Sequence, residues 1–350
     1  MLASNPLSLD LKIGHRLWEE ALALAFSLLV SVMPGEVVCI TGPSRVGKTK
    51  LIEELCELLG SPANTVSEGK MLNMAVKASN TGTNGTFSTK MFTQRMLEIV
   101  KHPILSISNE STEVDFLYQK LNRTTESTLR MALEHALQAR GVKYLFIDEA
   151  QHASYVSKGA QGAYAVMDSW KCLAETADVV LVLVGAYPIL DIIRNSPHLI
   201  GRKYQVHFPR YQLNKSDLRE FASIIAMYEK YMPVCESTGG LYRHVEMIHY
   251  GTLGCIGLLR KWFVHAAAVA RAKKVNIDLE LLQETHVVDA DFIRIREEII
   301  HGENILIKKK HNNTKEDLNK ITSPRHGKKI KPFQKKPVRQ SLGNRSKGKG

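Results

Sequence analysis

Residues 36–49 read EVVCITGPSRVGKT, and the order of residue types in this string decides the fold. An apolar run with β-branched residues, the pattern of a buried strand, leads into a loop that fits GxxxxGK[ST], and a helix follows from Lys48 to about Leu59. Gly42 and Gly47, with Pro43, Ser44, Arg45 and Val46 between them, let backbone N–H groups curl around phosphate oxygens, and the helix N-terminus adds its dipole. Lys48 is expected to reach the β- and γ-phosphates of ATP, and Thr49 to place its hydroxyl on Mg²⁺. The bare pattern arises by chance in roughly 1 in 100 chains of this size, before the strand and helix flanks are required.

Working outward, apolar residues Leu17, Ala21, Leu24, Leu28 and Val32 recur at helical spacing, so a helix over 15–32 is expected to pack on the core. Past the P-loop a strand is expected at 71–78 and a Gly/Asn/Ser/Thr loop at 79–88. Helices are expected at 90–101, 111–120 and 126–139, with a short strand or turn at 103–107. Two almost wholly apolar runs, 144–147 and 179–184, suit parallel strands covered on both faces, and a last strand is expected at 204–208. The fold class is therefore α/β, a five-stranded parallel sheet flanked by helices. Beyond Pro209 only helices are expected, at 216–230, 241–249, 254–272 and 289–300. The domains read as a nucleotide-binding core with its N-terminal helix (1–212), a helical lid (213–302) and a basic tail (303–350).

Charge is distributed unevenly. The chain of 350 residues carries 47 Lys and Arg against 35 Asp and Glu. Residues 301–350 hold 15 basic and 3 acidic residues, which leaves the preceding 300 neutral with 32 of each. A tail rich in Lys, Asn, Gly, Pro and Ser is expected to stay disordered until it meets a partner, either DNA or an acidic protein, unless it serves only as a solubilising terminus. The cysteines number five and form no CxxC pair, which disfavours a disulfide framework or zinc site and fits a reducing, cytoplasmic setting. The apolar stretch 21–33 is too short to span a bilayer and follows Glu19 and Glu20, so no membrane association is expected.

A second chemical element is YLFIDEAQH at 144–152, an apolar strand ending in two carboxylates. Asp148 is expected to hold Mg²⁺ through water, and Glu149 to orient or deprotonate the attacking water; the plainer reading is two acids capping a strand. His152 reads equally as a nucleotide reporter or an ordinary surface histidine. Arg202, just ahead of the last strand, is placed to reach a γ-phosphate held by an adjacent subunit, or else is a solvated edge charge beside Lys203 and Arg210. Arg260 and Lys261, on a lid helix, either fold over the phosphates or are simply solvated.

The P-loop at 42–49, DEAQH at 148–152, an arginine before the fifth strand and an all-helical lid together resemble the AAA+ family. FSTKMF (87–92), RTTESTLR (123–130), the DEAQH segment and GTLGCIGLLRKW (251–262) resemble the TnsC/TniB-like ATPases that regulate target choice in bacterial DNA transposition. The resemblance covers roughly residues 10–300, and it is the combination of strings, not the family-wide P-loop and DE pair, that narrows it. It implies a bacterial ATPase that binds double-stranded DNA and polymerises on it as a ring or filament with ATP at subunit interfaces. It also implies a transposase as partner and a target-selection protein upstream, RNA-guided in some systems, with hydrolysis disassembling the polymer. Lys90, Lys120 and Arg123 lie in the region that would supply contacts to the DNA backbone, although positive charge alone does not separate such contacts from solvated side chains. The chain departs from the pattern after the fourth strand, where Gly185 is followed by Ala186 instead of a polar sensor of the γ-phosphate. Either Tyr187 or Asn195 substitutes there, or the sensor is absent and hydrolysis is slow. Another AAA+ machine of initiator or helicase-loader type, or a nucleotide-gated DNA scaffold with negligible turnover, accounts for the same P-loop and DE pair.

Overall fold

The computed structural model describes residues 13–60, 69–82, 85–105, 123–156, 159–196, 201–286 and 290–311. The helix expected at 111–120, Lys120 and the tail beyond 311 lie outside the described residues. The chain divides into two units, Met1–Ile305 and Leu306–Gly350. The sheet and all the contacts below belong to the first.

Five strands, β1 (Val37–Thr41), β2 (Asn73–Lys77), β3 (Tyr144–Asp148), β4 (Val180–Gly185) and β5 (Lys203–His207), form one sheet in the order β2-β3-β4-β1-β5. Every pairing is parallel. Every residue of β1, β3 and β4 is buried, and successive side chains point to opposite faces. Val38, Ile40, Phe146, Val182 and Val206 therefore join one apolar layer, and Val37, Cys39, Leu145, Ile147 and Leu183 the other. This is why these runs read as continuously apolar instead of alternating.

The first layer is closed by α1 (Arg16–Ser31), α2 (Lys48–Leu58) and the C-terminal helices α7 (Lys215–Glu229), α8 (Val245–Thr252), α9 (Ile256–Lys273) and α10 (Leu279–Glu284). The second is closed by α3 (Thr89–Ile99), α4 (Glu126–Arg140), α5 (Gly159–Ala177) and α6 (Ile189–Asn195). In α4 the fully buried Leu129, Leu133 and Leu137 lie one turn apart, and each contributes about 1.5–3 kcal/mol of apolar transfer. Thr125 caps this helix by accepting from Thr128 N, and Gly141 ends it in a left-handed turn. A last helix, α11 (Ala290–His311), completes the described chain.

The expected five-stranded α/β fold is thus the observed one, with corrections in detail. The expected face of α1 is rotated: Leu17, Ala21, Ala25 and Leu29 are buried, whereas Leu24 is 47% exposed. A strict four-residue spacing puts the small Ala21 and Ala25 against the core, so the helix approaches closely and turns its larger leucine outward. Helices α5 and α6 were not expected, and α11 continues past the predicted end at Ile300 to His311. Residues 103–105 form a turn, the second of the two alternatives expected there.

Candidate nucleotide site

Parallel pairing brings the carboxyl ends of β1, β3 and β4 to one edge of the sheet, so the loops after them meet although they are distant in sequence. The P-loop leaves β1 there, with Gly47 left-handed ahead of α2. Lys48 is buried and donates to the carbonyls of Gly42 (3.1 Å) and Pro43 (2.8 Å), which holds its ammonium across the loop. Burial pushes its pKa below the ordinary lysine value, opposed by the charges of Glu298, Glu149 and Asp148.

Thr49 Oγ1 donates to Asp148 Oδ2 at 2.8 Å, so the first turn of α2 and the tip of β3 converge as sequence reading expects. Burial holds the Asp148 carboxyl above the usual carboxylate range, opposed by the bonds it accepts from Thr49 and the Glu149 amide. A hydroxyl and a single carboxylate, both hard oxygen donors, fit Mg²⁺, which takes one or two protein oxygens and completes its shell with phosphate and water. Among the described residues no group of three or more His, Cys, Asp or Glu forms an all-protein cage.

Glu149 stands in the left-handed region (φ 54°, ψ 36°), and this turns its side chain out of the strand direction. Gln151, which sequence reading did not single out, donates its amide to the Glu149 carboxylate and accepts from Ala186 N at 3.0 Å. His152 pairs with Asn80 Oδ1 (3.2 Å) and packs on Tyr155. Of the expected sensor substitutes, Tyr187 is fully buried with its hydroxyl on His207 Nε2 (2.9 Å), and Asn195 ends α6.

The C-terminal helices close over the loop at two points. Gly257, at the start of α9, donates its N–H to Arg45 O at 2.8 Å, and a Cβ there would lie 2.3 Å from that oxygen, so only glycine permits the approach. From α11, Glu298 accepts from Ser44 N (3.1 Å) and Ser44 Oγ (2.7 Å), a carboxylate bound by the kind of donors that a P-loop offers to phosphate. Arg210 anchors the same helix through paired bonds to Glu303 (2.8 and 2.9 Å). Lys261 lines a cleft of about 270 Å³ with Ser44, Arg45, Arg294 and Glu298, while the neighbouring Arg260 is exposed and not among its walls. Glu298 was missed because its glutamate lies in an ordinary charged helix, about 250 residues from its partner.

Arg202 lies at the other end of the sheet. Its carbonyl accepts from Val37 N at the amino end of β1, and its guanidinium donates to Glu175 (3.0 Å), which also pairs with Lys171. The length of β1, roughly 13 Å, separates it from the P-loop of its own chain. Lys90 is half-buried in the first turn of α3, and Arg123 is exposed ahead of α4. None of the five cysteines is in a disulfide, and among the described residues no single helix is long and apolar enough to cross a membrane.

Residues 33–193 match the family described as AAA domain. No curated protein sequence matches the chain. Among solved structures it is similar to the Walker-type ATPase PABY2304 of Pyrococcus abyssi, at 13% identity and a TM-score of 0.50, covering 89% of this chain and 79% of that one. It is also similar to the ORC2 protein of Aeropyrum pernix in its ADP form, at 17% identity and a TM-score of 0.52, covering 81% of this chain and 73% of that one. At these identities the likeness is one of fold alone.

Proposed function

We propose that this protein hydrolyses ATP and uses nucleotide to control its own assembly on double-stranded DNA, as a regulator of transposition. The observation that carries the ATPase reading is the convergence of Lys48, Thr49, Asp148 and Glu149 at one sheet edge. In this reading the P-loop backbone and Lys48 bind the phosphates, and Thr49 and Asp148 hold Mg²⁺, which supplies charge neutralisation at the phosphates. Glu149 orients the attacking water and takes its proton. Arg202, remote from its own P-loop, serves the site of an adjoining subunit and makes a homo-oligomer part of the mechanism.

The finer assignment rests on the FSTKMF, RTTESTLR, DEAQH and GTLGCIGLLRKW strings, with a transposase and a target selector as partners. Lys90, Lys120, Arg123 and the basic segment beyond 311 are its candidate DNA contacts. The same P-loop and DE pair support a second reading, an initiator-type ATPase that loads on DNA without a transposase. Negative-stain imaging with a slowly hydrolysed ATP analogue and duplex DNA tests both, with rings or filaments expected. Persistent monomers at low salt and high protein overturn the assembly reading. Shortening of the assemblies on addition of the transposase, but not of an unrelated DNA-binding protein, separates the regulator from the initiator.

A further inference from the structure

The geometry points to Gln151 as the positioning residue that holds Glu149 and links it to the tip of β4, where Ala186 carries no polar side chain. This rests on the ATPase reading above and adds to it the group that positions Glu149. Gln151 sits on the 3₁₀ turn after β3 (Ala150–Tyr155), half-buried between the two loops. Its two amide ends do different work. The NH₂ group donates to Glu149 Oε2, and the carbonyl accepts from Ala186 N at 3.0 Å, so one side chain bridges the loop after β3 and the loop after β4.

The surroundings are cut to admit it. A Cβ on Gly185 would stand 2.6 Å from Gln151 Oε1, so any larger residue there would expel the amide. Ala186 offers no side-chain donor or acceptor, but its backbone N–H supplies what the amide needs. Tyr187 is committed to His207 and does not reach this pair. An amide has both a donor and an acceptor end in fixed relation, and among uncharged side chains of this length only glutamine can satisfy a carboxylate and a peptide N–H at once. The Gln151 amide bonds one carboxylate oxygen of Glu149 and so holds that carboxylate in one direction. A displacement of the β4 tip would thereby be passed to the Glu149 carboxylate.

The test separates holding the carboxylate from binding nucleotide. Gln151→Met keeps the length of the side chain and removes both polar atoms, and Gln151→Ala leaves room for water to pair with Ala186 N. Phosphate release by the full-length protein with duplex DNA, and the Kd of a fluorescent ATP analogue, are measured for the wild type, both variants, Glu149→Gln and the double variant with Gln151→Met. The expectation is a fall in kcat of roughly tenfold or more with Kd within about twofold, and no further loss in the double variant beyond Glu149→Gln, because the two residues act as a unit. A kcat equal to the wild type in either variant that retains its thermal unfolding midpoint overturns the assignment, as does a loss that multiplies with that of Glu149→Gln. A wild-type chain that releases no phosphate removes the reaction and the role together, whereas normal wild-type turnover with unaffected Gln151 variants removes only the role.

Discussion

Glu149 holds a backbone conformation that costs an L-residue about 1–2 kcal/mol, and its carboxylate accepts from the Gln151 amide. Adjacent acids at the end of an apolar run made Asp148 and Glu149 readable from sequence, because a strand fixes where its last residues emerge. Gln151 was not readable in the same way: its partner at Ala186 is a backbone N–H, which leaves no mark on residue type. His15 carries a different residue-scale consequence. Its Nδ1 accepts from Trp18 N (3.3 Å) and meets the Tyr211 hydroxyl (3.1 Å), and burial, with the neighbouring Arg16 charge, lowers its pKa from 6.5 to about 4. The folded state therefore holds the imidazole neutral. The stability that this contributes is present above pH 6.5 and is lost as the pH falls through 4, up to about 3 kcal/mol. Urea unfolding at pH 7 and pH 4 should show His15→Gln losing that much less stability on acidification, and an identical loss in both proteins would assign the acid sensitivity elsewhere.

At the scale of elements, α9 and α11 reach the P-loop by different means. Gly257 gives α9 a backbone bond to Arg45, and α11 lays Glu298 on Ser44. A carboxylate there competes with phosphate for the same kind of donor and faces the same lysine. Glu298→Gln, which keeps shape and removes charge, should tighten binding of an ATP analogue roughly fivefold, about 1 kcal/mol, in a fluorescence titration. Unchanged or weaker binding would mean that the carboxylate supports the loop in its binding form. The element boundaries expose the limits of periodicity. α4, with leucines a turn apart, was plain, whereas α5 (GAQGAYAVMDSWKCLAETA) opens on glycines and small residues that resemble a loop. Its apolar face becomes visible only once Trp170 and Leu173 are seen against the sheet. The prolongation of α11 was hidden by a lysine run that composition assigns to the tail.

For the whole molecule, sequence reading reached the sheet because parallel strands buried on both faces must be apolar throughout, and little else in a chain is. It gave no strand order, which depends on which helices cover which face. That order sets β1 beside β5 and so places Arg202 and the P-loop at opposite ends of paired strands. If the arginine acts across a subunit boundary, Arg202→Ala should bind ATP normally and release no phosphate alone. Mixed with Glu149→Gln, which lacks the water-directing group but keeps its arginine, it should regain part of the wild-type rate in a phosphate-release assay. A mixture as inactive as its components would leave Arg202 as the partner of Glu175 and nothing more.

The separation of Arg202 from the loop it does not serve also gives the subunit a front and a back. Copies joined through unlike surfaces stack in one direction, closing into a ring if the rotation permits and otherwise leaving two unequal ends. If Arg202 acts across the subunit boundary as proposed, one end of such a stack would hold an arginine with no phosphate to meet and the other a nucleotide with no arginine beside it. In an open stack the capping subunit would then be the last to hydrolyse, and turnover per subunit would climb with protein concentration as ends become rare.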